Sequence, residues 1–165
     1  MSLYFYFEQK FNRTDLGLLV LRVVFGTVIF LFGVDKLLGG GATFEFLGKQ
    51  LEMFGITWQP KFWGLLCALV ETFGGLCMVL GLFFRPAAML LVCNMIVASA
   101  ATFQMTGAPI FSSMDAFVTD WLGKVAVPVY FLAAFLALLF TGPGKYAIHK
   151  KGGGGKSGAK ASAKE

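Results

Sequence analysis

This sequence has little histidine and few charged residues. Its one histidine is His149, and charged residues make up 14% of its 165 residues, against about a quarter in ordinary soluble domains. One histidine excludes a bis-histidine haem or a histidine-based metal site built by this chain alone. The three cysteines, Cys67, Cys77 and Cys93, lack C-x-x-C spacing, which favours buried apolar thiols. We predict no catalytic residue, no metal and no cofactor bound by this chain alone.

Apolar residues are abundant, at 57% of the chain, and the mean hydropathy is +0.74. They fall into four runs of about the length that a helix needs to cross a bilayer. These runs are 16–34, 62–84, 86–105 and 125–140. No small-residue cleavage pattern follows the first run, so we expect it to remain as a helix instead of acting as a signal peptide. The fold predicted is all-α, an integral membrane four-helix bundle.

The segments between the runs predict a few further elements. Between the first and second spans, Phe44, Leu47, Leu51 and Phe54 recur at helical spacing, which predicts a short amphipathic interfacial helix. This helix is either a lid or partner-docking surface, or simply packs at the interface. Residues 107–124 are predicted to form an external loop, and the aromatic segment 2–11 to lie at the membrane surface.

The domain organisation predicted is a transmembrane domain over 1–148 and a disordered, lysine- and glycine-rich cytoplasmic tail over 149–165. The tail contains Gly-Lys-Ser, but Lys150 stands where a phosphate-binding loop needs its first glycine and no strand precedes it. Nucleotide binding is therefore excluded.

Basic residues predict the orientation of the spans. The side that carries both termini holds most of the Lys and Arg residues, including Arg85 and the lysines of the tail, which places both termini in the cytoplasm. Such residues are attracted to an anionic lipid surface. The chain has no basic stripe interleaved with aromatics outside the apolar runs. We expect membrane lipid as a partner, and no nucleic acid.

A few polar groups lie within the apolar runs, and these are the candidate site residues. Glu71 is the only charge between Lys61 and Arg85, and Arg22 is the only one in the first run. At 1.5 Å of rise per residue, Arg22 and Asn94 lie at one level, and Glu71 lies deeper. That deeper layer also contains Thr27 and Tyr130. Each of the first three helices carries its polar group on a face of small residues, which favours close packing inside the bundle.

Two interpretations of Glu71 remain open. In the structural one, Glu71 and Arg22 form a hydrogen-bonded ion pair with Asn94, Thr27 or water and fix the helix register. A direct Arg22 contact is disfavoured because the two side chains lean in opposite directions, each toward its own helix N-terminus. In the functional one, Glu71 carries a proton or binds a lipophilic ligand such as a quinone, with Tyr130 nearby. An unpaired charge at mid-bilayer costs at least about 2.5–3.5 kcal/mol, so pairing or protonation is required.

The ordered polar and glycine positions carry a family resemblance. The sequences "LRVVFGTVIFLFGVDKL" (21–37), "ALVETFGGLCMVLGLFFRPAA" (68–88) and "GPGKYAI" (142–148) resemble the DoxX family of small bacterial four-helix membrane proteins. The resemblance covers most of residues 16–148. By motif it singles out Arg22, Lys36, Glu71 and Arg85. Many relatives have histidine before the glycine that ends the first helix, whereas this chain has Phe32.

The resemblance implies a bacterial inner-membrane protein associated with quinone-linked or thiol-linked redox systems. Relatives include a subunit of a thiosulfate–quinone oxidoreductase. Our leading hypothesis is an accessory or quinone-interacting subunit of an electron-transfer complex, not an enzyme alone, with other subunits of that complex as partners. The alternative is a structural or assembly subunit without a ligand. A small transporter is a weaker hypothesis, because matching broken helices are absent apart from Pro128.

Overall fold

The computed structural model describes residues 13–106 and 113–148, without the side chains of Arg13, Ala116, Asp120 and Trp121. Within these residues the regular structure is entirely helical. The elements are α1 (Arg13–Leu38), α2 (Gly40–Lys49), a 3-10 helix (Gln50–Phe54), α3 (Pro60–Leu80), α4 (Phe84–Thr106), a helical turn (Met114–Ala116), a π-helix (Phe117–Val125) and α5 (Ala126–Thr141). Four segments are long and apolar enough to cross a membrane: Thr14–Leu38, Pro60–Leu80, Phe84–Thr106 and Phe117–Thr141. The predicted all-α bundle with four spans is confirmed.

The helix of the first apolar run ends at Leu38, within the stretch 34–42 whose sequence predicts a helix end. Two other predicted boundaries are wrong. The helix of the second span, α3, ends at Leu80, where Gly81 takes a positive φ of 71° and caps it. Residues 117–124 are helical and not a loop, since a lysine such as Lys124 can extend its stem toward the membrane surface without ending a helix. The predictions for 2–11 and 149–165 lie outside the described residues.

The helices α1 and α2 pack one after the other along α3, both antiparallel to it. Gly33 of α1 lies against Thr72, whereas Gly64 lies against Phe44 of α2. A Cβ atom added to Gly64 would lie 1.8 Å from the Phe44 carbonyl oxygen, so only glycine permits this approach. The predicted short helix is therefore present, and it packs lengthwise on the first turns of α3. Its start at Gly40 requires a positive φ of 67°.

An exposed ion-pair network also connects α2 to α3. Glu45 pairs with Lys49 at 3.0 Å on its own helix and with Lys61 at 3.7 Å on α3. The hydrogen bond and charge of Lys49, followed by the charge of Lys61, lower the pKa of Glu45. Because all three side chains are well exposed, we assign this network a small share of the stability.

The hydrophobic core lies where α1, α3, α4 and α5 meet. Its buried members are Ile29, Met78, Phe84, Ala88, Leu91, Val92, Met95, Phe131, Phe135 and Leu138. The predicted inward faces of α1 and α3 are confirmed, because Arg22, Ile29, Glu71 and Met78 are all at most 2% exposed.

The residues after α5 fold back onto the N-terminal end of α1. Arg22 donates to the carbonyl oxygens of Pro143 (2.9 Å) and Tyr146 (2.5 Å). Asp15 accepts from the Lys145 backbone N–H at 3.2 Å. Both ends of the described chain therefore lie on one side of the bundle, which we call the terminal side. The side at which α3 begins, at Pro60, is the opposite side.

Replacing Arg22 by glutamine is expected to destabilise the bundle by about 1.5–3 kcal/mol, the usual worth of a hydrogen bond made by a charged group. The loop of residues 142–148 that follows α5, here called the C-terminal loop, loses the two hydrogen bonds that the Arg22 guanidinium donates to it. Trypsin is therefore expected to cleave after Lys145 faster than in the wild type. Thermal unfolding in detergent and timed trypsin digestion measure these effects. Arg85→Gln is the control, since Arg85 is exposed. Equal digestion rates in the two variants would contradict this role for Arg22.

Candidate functional site: a buried ion pair beside a cavity open to the lipid-facing surface

The candidate site is centred on the Glu71 carboxylate, which is 0% exposed. The Lys36 ammonium donates to both of its oxygens, at 2.5 Å and 2.6 Å. The Asn94 amide donates to Oε1 at 2.8 Å, and the Cys67 thiol lies 3.9 Å from the same oxygen. Side chains of three different spans therefore donate to one buried carboxylate. Such partners are needed because an isolated charge in a bilayer is costly.

Local sequence explains how the ion pair forms. Side chains lean toward the N-terminus of their helix. Because α1 and α3 are antiparallel, Lys36 near the end of α1 leans into the bundle while Glu71 on α3 leans toward the opposite side, and the two meet. Gly33 brings the helices close, since a Cβ atom there would lie 2.4 Å from the backbone nitrogen of Thr72.

A cavity of about 360 Å³ adjoins the ion pair. It lies between α3 and α4 and is bordered at the opposite side by α2 and the 3-10 helix. Its polar or sulfur-bearing lining residues are Lys36, Gln50, Trp63, Cys67, Cys93, Asn94 and Thr102. Its apolar lining residues are Leu47, Leu51, Leu66, Val70, Leu90, Val97 and Ala98. Lys36 and Asn94 line the cavity, and Glu71 lies behind them and holds them in place.

The cavity opens sideways on the surface between α3 and α4. Two of its lining side chains, Leu66 and Leu90, are 39% and 55% exposed, and Cys93 is also exposed. These residues lie within two of the membrane-spanning segments. In a bilayer this surface contacts acyl chains, so a lipophilic molecule can reach the cavity from the membrane without crossing water.

The hydrogen-bonding groups of the cavity are mixed. Lys36 can only donate, whereas Asn94 uses its amide nitrogen on Glu71 and keeps its oxygen as an acceptor. The Thr102 hydroxyl donates to the Ala98 carbonyl oxygen and so also remains an acceptor. The Trp63 indole N–H is buried and has no acceptor among the described residues. The arrangement suits recognition of a polar headgroup at the end of an apolar slot.

The five predicted ligand residues do not share one site. Glu71 and Asn94 come together, so their assignment to different levels was wrong. The depth of Glu71 was counted from Arg85, whereas α3 already ends at Leu80, which brings Glu71 to the level of Asn94. Arg22 lies next to Gly81, about 15 Å along α3 from Glu71, and pairs with backbone carbonyls. Thr27 is exposed, and Tyr130 is 57% exposed.

Lys36 is the partner of Glu71 that sequence reasoning missed. The motif resemblance named it, and its helical face is that of Arg22, Gly26, Ile29 and Gly33. The signal that identifies it is side-chain direction, because a lysine near the end of α1 leans back toward the level of Glu71. The other predicted topology residue, Arg85, is exposed at the start of α4 on the terminal side.

The fold and the site together define a multi-pass membrane protein with a buried ion pair at a cavity open to the lipid-facing surface. The chain belongs to the DoxX family, whose profile matches residues 17–105, more than half of the sequence. That match covers most of α1, all of α2 and α3 and nearly all of α4, which are the helices that build the site. No curated protein and no solved structure matches the chain.

Proposed function

We propose that this protein binds a quinone-type lipophile in the cavity beside the ion pair and serves as an accessory subunit of an electron-transfer complex. The observation that carries the proposal is the cavity itself. A subunit that only braces a complex is expected to be packed solidly around its buried charges. Here a space of about 360 Å³ lies next to Lys36 and Asn94.

The chemistry of a quinone suits the lining of this cavity. Its ring carbonyl oxygens are acceptors, and the Lys36 ammonium is a charged donor at the polar end. Its flat apolar ring matches the aliphatic walls from α3 and α4. The volume is near the lower end of the about 300–1,000 Å³ typical of small-molecule pockets, which suits a single-ring headgroup with a chain extending into the membrane.

The cellular setting is part of the same proposal. The family resemblance supports a place in the bacterial inner membrane, and basic residues on the terminal side favour both termini in the cytoplasm. In this proposal electrons come from a partner subunit, and the groups at the cavity bind and orient the headgroup. Among the described residues no group of three metal-ligating side chains comes together.

Filling the cavity is expected to weaken binding of the quinone. In Val97→Phe the new ring occupies the slot, because Val97 lines it. The matched control is Ile96→Phe at the neighbouring residue, which is 48% exposed and is not part of the lining. A decyl-tailed benzoquinone is titrated into purified protein, and quenching of tryptophan fluorescence reports binding near Trp63. We expect Val97→Phe to bind at least about tenfold more weakly, a loss of about 1.4 kcal/mol.

The control variant is expected to bind as the wild type does. Equal quenching curves for wild type and both variants would mean that the quinone partitions into detergent without using the cavity. No saturable quenching in the wild type would remove the proposal as well.

A further inference from the structure

A second cavity continues the first along the groove between α3 and α4. It has a volume of about 410 Å³ and is lined only by apolar residues and Cys77. Val70 and Leu90 line both cavities. From there the groove runs past Phe73 and Cys77 to Phe83 at the turn between the helices, so it leads toward the terminal side.

The opposite direction has a different character. A third cavity shares Gln50 with the first and lies where the 3-10 helix meets the end of α4. Its lining includes Lys49, Glu52 and Gln104. An apolar chain leaving the first cavity therefore has an apolar route toward the terminal side and a polar one toward the opposite side, where desolvating these groups would be unfavourable.

We propose that the groove between Val70 and Phe83 holds the prenyl chain of the ligand whose headgroup lies at Lys36. The ligand then lies along α3 and α4 with its ring near mid-span and its chain directed toward the terminal side. This inference rests on the proposed function, because the same molecule occupies both cavities. The continuity through Val70 and Leu90 selects this occupant over an unrelated bilayer lipid.

The groove is also accessible from the membrane along its length. Phe73 is 61% exposed and Phe83 is 76% exposed, so both rings border it at the lipid-facing surface. A chain can enter sideways together with its headgroup, and no opening between helices is required.

Photocrosslinking tests the placement of the chain. Two fully substituted benzoquinones are used with the full-length protein in lipid nanodiscs, one with a diazirine on the ring and one with a diazirine at the end of a short prenyl tail. Peptide mass spectrometry locates the adducts. We expect the ring probe to label the surroundings of Cys93 and Val97, and the tail probe to label Phe73, Cys77 or Phe83.

Competition and a matched variant separate specific from bulk labelling. Untagged prenyl quinone at about ten times its Kd is expected to lower both signals roughly tenfold. Both signals are also expected to fall in Val97→Phe and to persist in Ile96→Phe. Tail adducts that spread over all lipid-facing surfaces, or that lie near Glu52, would overturn the inference about the prenyl chain. If the ring probe still labels its expected site specifically in that case, the proposed function stands. Absence of competed ring labelling would overturn both.

Discussion

Replacing Lys36 by methionine is expected to destabilise the folded bundle by about 3–5 kcal/mol, the cost of leaving one member of a buried ion pair without its partner. Glu71 is 0% exposed and would retain the Asn94 amide and the distant Cys67 thiol as donors. Equilibrium unfolding in mixed detergent measures the change. Lys49→Met is the control, because Lys49 pairs with Glu45 on the exposed surface and its loss should change stability little.

The double variant Lys36→Met with Glu71→Met distinguishes pairing from simple loss of a lysine. Replacing a buried ion pair by apolar side chains of similar volume is often neutral or stabilising. We therefore expect the double variant to recover most of the wild-type stability. If Lys36→Met alone unfolds as the wild type does, the ion pair is not holding α1 against α3.

The second large effect is expected at the contact between α1 and α3. In Gly33→Leu the new Cβ would lie 2.4 Å from both the backbone nitrogen and the hydroxyl oxygen of Thr72. Because the Thr72 backbone cannot move aside as a flexible side chain can, the helices must separate. We expect a loss of about 3 kcal/mol or more, at or above the upper end of the usual cost of overpacking.

The matched control for this prediction is Gly17→Leu on the same helix, since nothing lies within 4 Å of a Cβ atom there. Both variants add the same side chain to α1, so a general effect of leucine on helix propensity cancels. The same unfolding measurement compares them. Equal stabilities for the two variants would show that the glycine contact does not set the spacing of the helices.

Much of the fold could be predicted because the bilayer leaves few alternatives. Long apolar runs must be helical in lipid, and the small-residue faces of α1 and α3 predict which sides meet. Boundaries were harder, since Lys124 looks like the last residue of a loop before the fourth span. Whether a charged residue ends a helix depends on its contacts in the folded protein and on how far its side chain can reach toward the membrane surface. The order of residue types in the sequence gives neither of these directly.

The site could be predicted only in part. Burial of Glu71 follows from its place within an apolar run, and its contact with Asn94 was among the predicted interactions. The partner of Arg22 could not be found in the same way, because backbone carbonyls of Pro143 and Tyr146 accept its hydrogen bonds and every residue has a carbonyl. The cavity depends on how α2 borders the gap between α3 and α4, which is a property of packing.

The two buried charges of the apolar runs therefore have separate roles. Arg22 fastens the C-terminal loop to the terminal side through backbone hydrogen bonds. Glu71 joins three spans and positions Lys36 and Asn94 at the cavity. The structural and functional interpretations of Glu71 are compatible, because the contacts that hold the helices together also orient the groups that face the proposed ligand.

The claim that the ion pair positions a group that binds the quinone is tested most directly by the quinone affinity of the double variant Lys36→Met with Glu71→Met. The affinity is determined by tryptophan quenching on protein shown to be folded. Loss of a charged hydrogen-bond donor is worth about 1.5–3 kcal/mol, so we predict affinity weaker by about 10- to 100-fold at near-normal stability. Wild-type affinity in the folded double variant would contradict the account, since the ion pair would then be a brace that the ligand does not use.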